Sequence, residues 1–448
     1  MESPKRHESN ENEDQDMISN LPDVIIGRIL SLLPTKDAVS TSLLSKSWLY
    51  KWTFITQLEF QDKECSSSKK ISKDLFVSFV YRVLLHLNSS GIQSFSLDMS
   101  EDYEAIHVDE WISAVVSRGV KMLCVDSDQK GNLSSHSLMK YKTLEELVLY
   151  AYGCEIEVPT FAIFSSLTVL NLTGAMLVGD PSDKSGKVHL NFPVLRTYKT
   201  KSCTWLSSVK CVTLEVPLLQ VVSIQVYRPS DSVDDYSYPT IKFRASRLKE
   251  FSYIGSPLPD PTVFDLSAAN VASADICFGL YKEESLQEVM ALSVEILKKF
   301  QNVECLKFQK WRKVLLAKDS LTGLPSFKML SRLELGAVAS EILLALLLRT
   351  PYLKTLLFQG LLQPDQELLN YGPVPECFST TLQVVKFRSF DGSEHQLSFA
   401  KFVMENVVAL KRMSFRPHWN RPNISEEVKE KLYSFKKCCS FMSLKFST

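Results

Sequence analysis

A single six-residue frame dominates the chain: apolar, two variable positions, apolar, one variable position, apolar. Copies start at Ile92, Val120, Leu144, Leu167, Leu195, Leu219, Leu248, Val271, Val303, Leu330, Leu353, Leu382 and Leu410, and include "IQSFSL", "LEELVL", "LSRLEL" and "LQVVKF". The starts lie 23 to 32 residues apart and average 26.5, and the copies from Leu195 and Val271 fit the frame poorly. Alternation of apolar residues over so short a run describes a strand with one buried face. One such strand cannot bury that face alone, so the copies must stack. The frame therefore predicts an α/β repeat fold, a curved solenoid of parallel strands. Between the copies, "SGIQ", "NFPVLR" and "TPYLK" carry the glycine and proline that turn the chain. Residues 283–303 are a helix-rich exception, with Val289, Leu292, Ile296 and Leu297 at helical spacing, expected to pack on the convex side.

The period lies within the range of leucine-rich repeats. In such an array the variable positions of each copy face outward on the concave sheet. Glu146, Val148, Thr168, Asn171, Lys249, Ser252, Lys307, Arg332, Glu334 and Lys354 are therefore the candidate target-binding residues. The polar segment 226–240, with Tyr236 and Tyr238, is too long for a tight return; it reads as a disordered insertion, with a substrate loop as the alternative.

Little points to chemistry. Lysine plus arginine and aspartate plus glutamate both number 51, so the net charge is zero and no nucleic acid or anionic membrane partner is implied. Ten scattered cysteines without a CxxC pair read as free thiols in a reducing compartment. Seven dispersed histidines give no metal site, and Cys438-Cys439 ends in no lipidation signal. Phosphate-binding glycine loops, zinc-protease motifs and nucleophile elbows are missing from the sequence, so neither an enzyme nor a cofactor is expected. The longest apolar run, "EILLALLLRTP", is too short to span a bilayer. The expectation is a soluble intracellular protein, nuclear or cytoplasmic.

The amino-terminal end raises a separate question. Residues 1–16 are acidic and lack aliphatic side chains after Met1, which predicts a disordered tail. Then "LPDVIIGRILSLLPTKDAVSTSLLSKSWLYKW" predicts three short helices. Pro22 and Asp23 open the first, Ile25, Ile26, Ile29, Leu30 and Leu33 recur along it, and Pro34 ends it. Thr35 is placed to cap the second, and Ser45 the third, with Trp48 and Trp52 one above the other. About 35 residues cannot own a sufficient core without a metal, a disulfide or a partner. A partner protein is the remaining source of burial.

Leu21-Pro22, Ile29-Leu30, Leu33-Pro34, Asp37-Ala38-Val39, Leu44-Ser45 and Trp48 together resemble an F-box, the module that docks substrate receptors onto the Skp-type adaptor of cullin-RING ubiquitin ligases. Ser47 departs from the arginine usual in the plant versions. The repeats resemble the degenerate leucine-rich array of plant F-box proteins, through segments 108–123 and 142–159. Residues 374–415 resemble the FBD domain of that family, through Pro375-Glu376-Cys377, the Leu382 strand, Phe390-Asp391-Gly392 and a helix through Phe402 and Leu410. The implied layout is an acidic tail at 1–16, an F-box at 17–60, degenerate leucine-rich repeats at 61–365, and an FBD domain with carboxy-terminal cap at 366–448.

The resemblance implies a non-catalytic substrate-recognition subunit of a ubiquitin ligase, with cullin and RING subunits reached through the adaptor and an unidentified target protein on the repeats. Leu21, Pro22, Ile25, Ile29, Leu33, Val39, Leu44 and Trp48 are the candidate adaptor-binding residues. Two other readings stay open: a repeat scaffold outside any ligase, and a receptor whose sheet also takes a small molecule.

Overall fold

The computed structural model describes residues 18–63, 72–88, 91–127, 136–141, 143–180, 182–206, 208–226, 236–237, 239–255, 264–265, 271–278, 286–313, 316, 318–362, 373–418, 423–435 and 443–446. They fall into two compact units, 1–134 with 143–154 and 135–142 with 155–448. The acidic tail expected at 1–16 lies outside the described residues.

All thirteen copies of the frame become strands, each beginning two residues after the first apolar residue of its copy. The poorest copies do so too, as Thr197–Lys201 and Ser273–Phe278. Two more strands, Gln57–Gln61 and Ser443–Phe446, follow the same frame from Ile55 and Phe441 and were not anticipated. The first of them straddles the end of the segment assigned to the F-box, 17–60.

In the first unit, helices α1 (Asp23–Leu30) and α2 (Thr35–Ser40) and three short 3-10 turns precede β1 (Gln57–Gln61), α3 (Lys73–His86), β2 (Ser94–Met99), α4 (Ala105–Ser117), β3 (Met122–Ser127) and the strand Glu146–Ala151. The four strands pair in that order, all parallel. Their inward residues, among them Phe60, Phe95, Leu97 and Val125, are buried together with Phe76 and Val80 of α3 and Trp111 and Val115 of α4. Asp62 is 2% exposed. Its carboxylate accepts hydrogen bonds from Ser100 N–H and Oγ, Glu101 N–H and the Tyr103 hydroxyl, at 2.8 to 3.2 Å. That satisfies a charge which would otherwise be costly to bury, and it fixes the turn between β2 and α4.

In the second unit the frame strands from Val169–Thr173 to Ser443–Phe446 again form one parallel ladder. Their returns are of two kinds. From residue 155 to 265 each turn of chain adds a strand to further sheets. Phe161–Ile163, Lys187–Asn191, Cys211–Glu215, Thr240–Arg244 and Phe264–Asp265 pair parallel as one. His136–Ser137, Glu155–Val158, Met176–Gly179, Thr204–Leu206 and Tyr236–Ser237 form another, whose last pair is antiparallel. Tyr236 therefore sits opposite Leu206 in a sheet, while residues 227–235 and Tyr238 lie outside the described residues. The first corner of these turns needs a left-handed residue, supplied by Gly174 (φ 73°) and, one turn later, by Ser202 (φ 53°).

From residue 286 onward helices return the chain: Leu286–Lys299, Ser340–Leu348, Glu376–Thr380 and Glu394–Asn406. Helical returns are thus shared with α3 and α4 of the first unit and are no exception confined to 283–303. Val294 and Leu297 are buried on the first of them, whereas the side chains of Val289 and Leu292 lie outside the described residues. The run "EILLALLLRTP" forms a nine-residue helix with Ile342, Leu343, Leu344, Leu346 and Leu347 buried. Among the described residues no helix is long and apolar enough to cross a membrane. The helix expected through Phe402 and Leu410 ends at Asn406, leaving Leu410 in the turn before Arg412–Pro417.

Candidate functional site

Two apolar stripes run along α1. Ile26 and Leu30 point inward, 1% and 3% exposed, and Ala38 of α2 is fully buried as well. Gly27 lets α1 approach the Lys51–Phe54 turn, because a Cβ there would lie 2.4 Å from the Phe54 carbonyl oxygen. An ion pair of 2.5 Å between Lys51 and Asp23 ties the same turn to the start of α1.

The helices are also bonded to the sheet. Ser31 Oγ donates to the Gly27 carbonyl at 2.7 Å and accepts the Thr56 N–H at 2.9 Å. Thr35 Oγ1 accepts the Glu59 N–H of β1 at 2.7 Å. Thr35 is therefore no cap: it lies inside α2, fully buried, and Pro34 precedes the helix instead. Ser45 is extended and makes no cap either, its hydroxyl meeting that of Ser47 at 2.7 Å. Trp48 and Trp52 fall in separate 3-10 turns, Lys46–Trp48 and Lys51–Phe54, and do not share one helical face.

The other stripe is open to solvent. Of the candidate adaptor-binding residues, Pro22, Ile25, Ile29, Leu33 and Leu44 are exposed. Leu21, Val39 and Trp48 are half-buried, and the Trp48 indole N–H donates to Ser19 Oγ at 2.7 Å. Val24, Leu32, Leu43 and Leu49 join them, with Leu32 80% and Leu43 87% exposed, although none was among the candidates. The signal for these was the abundance of aliphatic residues in so short a segment. Spacing alone does not decide which of two adjacent stripes, 25/29 or 26/30, faces in. Eight aliphatic side chains left in water at one end of a folded unit form an apolar surface of the kind that marks a protein interface.

The candidate target-binding residues divide differently. Glu146 and Val148 are half-buried outward positions of Glu146–Ala151 in the first unit. In the second unit Asn171, Ser252, Lys307 and Glu334 lie on one row running across the ladder, and Arg332 on the row beside it. Thr168, Lys249 and Lys354 are not on the strands. Each precedes one, and its carbonyl accepts the amides that start the next strand. Several of the charges are already matched: Lys307 pairs with Asp275 at 2.7 Å, and Glu334 is held by both guanidinium nitrogens of Arg388, at 2.5 and 3.2 Å.

A cavity of about 240 Å³ lies in the first unit, lined by Lys36, Glu59, Phe60, Gln61, Leu75, Phe76 and Phe79. Its lining comes from α2, β1 and α3. Cys124, Cys203, Cys211, Cys305 and Cys377 are free thiols. Burial pushes the Cys203 thiol up to about 11 and that of Cys377 to about 12, so both stay protonated and unreactive near neutrality. Among the described residues no cluster of histidine, cysteine and carboxylate side chains could hold a metal ion.

The F-box domain family matches residues 18–53, and the FBD family matches residues 372–415. Over almost its whole length the chain is similar to F-box/FBD/LRR-repeat proteins of Arabidopsis thaliana. One is 28% identical over 450 residues, covering 96% of this chain and 94% of the relative. A second is 26% identical over 440 residues, covering 92% and 94%. A putative F-box protein of the same plant is 38% identical over 153 residues, a third of each chain.

Proposed function

We propose that this chain, which carries an F-box and an FBD domain around a leucine-rich array, is the substrate-recognition subunit of a Skp-cullin-F-box ubiquitin ligase. The observation that supports this most directly is the outward apolar stripe of the F-box. Burying a leucine- or isoleucine-sized side chain contributes about 1.5–3 kcal/mol, so a few of Ile25, Ile29, Leu32, Leu43 and Leu44 suffice for a specific docking surface. The Skp-type adaptor is the partner that this domain implies, and cullin and RING subunits follow through it. The chain makes no bond itself. It holds a target protein on the outward sheet and raises its effective concentration near the charged conjugating enzyme.

The hydrogen bonds that Ser31 and Thr35 accept from the Thr56 and Glu59 amides suit that work, because they make the docking helices and the first repeats one body. An aspartate at Leu44, 70% exposed in the free chain, tests the docking. Leu44→Asp abolishes co-purification with the adaptor and leaves the circular dichroism spectrum unchanged. Undiminished adaptor recovery by Leu44→Asp and by Leu32→Asp sinks the proposal.

A further inference from the structure

Although the whole chain is neutral, its charge is not spread evenly over the strands. On the first unit's outward positions the charged residues are Glu59, Asp98, Asp126 and Glu146, with no lysine or arginine. The last three strands of the second unit are the reverse. Val384–Phe390, Arg412–Pro417 and Ser443–Phe446 turn out Lys386, Arg388, Arg412, Arg416 and Lys445, with no acidic residue among them. All but Lys386, which is half-buried, are exposed.

Register puts these charges close together. Lys386, Ser414 and Lys445 follow one another in a single row, and Arg412 sits in the adjacent row between Val384 and Ser443. With neighbouring strands about 4.8 Å apart, the two lysines start from backbone positions about 10 Å apart, with Ser414 between them and Arg412 two residues away on the same face of the middle strand. Such crowding of like charge costs free energy unless something of opposite sign is bound.

The same surface already shows how it takes a carboxylate. Arg388 reaches back across the strand Thr355–Phe358 to hold Glu334 with both of its terminal nitrogens, and Arg332 adds a third contact to Glu334 at 3.7 Å. Leu357, between Glu334 and Lys386 in the row, is 1% exposed. The two-pronged guanidinium geometry is the strong form of carboxylate recognition. One internal carboxylate is thus bound at the margin of the patch, while Lys386, Arg412, Arg416 and Lys445 make no ion pair among the described residues.

We infer that this carboxy-terminal end of the sheet binds an aspartate- and glutamate-rich segment of a partner protein. A polypeptide fits better than a nucleic acid. Phe387, Phe390 and Phe415 of these strands are buried, and the half-buried Phe446 is stacked on Phe415 at 5.6 Å in the same row, so no free aromatic platform stands among the cations, which serine and valine separate. The inference rests on the receptor reading for what the bound segment means, a recognition element of the target, but not for the binding itself.

The test is fluorescence anisotropy with the full-length chain and a labelled twelve-residue peptide of alternating serine and aspartate or glutamate. The peptide binds, its asparagine/glutamine counterpart does not, and raising salt from about 0.05 to about 0.3 M weakens the complex several-fold. Arg412→Glu and Lys445→Glu each weaken it at least about tenfold, while Lys242→Glu, exposed on another sheet of the same unit, has no effect. Equal affinity for the two peptides, or unchanged binding by both reversals with their circular dichroism retained, overturns the inference. Tighter binding of a single-stranded RNA of equal charge overturns it in favour of a nucleic acid. Adaptor capture is measured on the same samples: captured adaptor without peptide binding sinks this inference alone, and peptide binding without adaptor capture sinks the receptor reading alone.

Discussion

Within the second unit, residues 155–265 and residues 286–417 solve one problem in two ways. Both place a frame strand in the same ladder every 23 to 32 residues, yet the first returns by strands and the second by helices. Their interiors differ accordingly. The strand-returned turns bury aliphatic residues such as Leu170, Leu190, Val212, Leu214, Val222 and Ile224, and their rings meet in pairs, Phe164 with Phe192 at 4.7 Å and Tyr198 with Phe243 at 5.7 Å. The helix-returned turns are built on an aromatic cluster in which Phe387 lies 4.6 Å from Phe358, 4.9 Å from Phe415, 5.4 Å from Phe390 and 6.3 Å from Phe399, centroid to centroid. A helix is about 10 Å across, so a turn closed by one has more volume to fill, and phenylalanine fills it. The period fixes the stacking direction, whereas the residues of the return decide the cross-section.

That contrast can be broken by mutation. Phe387→Ala removes the hub of the aromatic cluster and is expected to cost about 3–5 kcal/mol, against about 2 kcal/mol for Val212→Ala in a strand-returned turn. Urea denaturation of the two variants measures the difference, and equal costs would show that the aromatic cluster has no special weight.

Glycine sharpens it next. Gly255 (φ 157°) has the Val226 carbonyl oxygen 2.3 Å from where a Cβ would sit, so Gly255→Ala is expected to cost about 1–3 kcal/mol. At Gly360, among the helical returns, the nearest atom is the Gln396 side-chain nitrogen at 3.0 Å, which can move, and Gly360→Ala costs under about 1 kcal/mol. Thermal unfolding in which Gly360→Ala is the more damaging of the two would refute this account.

Acid acts more weakly and on the helical side. Burial opposes ionisation of Asp391, but the hydrogen bonds from Ser393 N–H at 2.9 Å and Oγ at 2.6 Å outweigh it and hold the carboxyl below its usual value. A depressed folded-state pKa contributes stability that is fully present above the unfolded value, about 3.9, and is lost as pH falls through the folded value. The gap between wild type and Asp391→Asn should therefore be constant from about pH 5 to 8, under about 1 kcal/mol because the group is partly exposed, and should shrink below about pH 4. A gap that grew on acidification would reverse the assignment.

The smallest effect belongs to the strand-returned corner. Ser202→Gly relieves a left-handed residue and should raise stability by up to about 1 kcal/mol. A drop in melting temperature would show that the serine side chain contributes more than its backbone costs.

The strands were legible because their signal is strictly local: every frame copy, even "LRTYKT" and "VASADI", became a strand at the same offset. The strand returns carry an equally local signal, since "KVHLN", "CVTLE" and "TIKFR" alternate, but they are only five residues long and lack the third apolar position of the frame. The candidate docking residues were half legible. That the helices had apolar surface to spare follows from counting, whereas which stripe is outward depends on Gly27 meeting Phe54, a contact 27 residues away in sequence. Thr35 was misassigned for a similar reason, because a threonine after a proline at a helix start looks like a cap until a distant amide claims its oxygen. The basic patch at the carboxy-terminal end was invisible in a chain of zero net charge, because register alone gathers residues that lie up to 59 positions apart.

A parallel ladder exposes a row of unused amides at each end, and such a row is a template on which another chain can add itself. At the amino-terminal end Thr35 Oγ1 takes the Glu59 amide of β1. The amino-terminal helices therefore also blunt the sheet against self-association. A chain with Thr35→Val would lose this protection along with the bond, and its first symptom would be aggregation during expression.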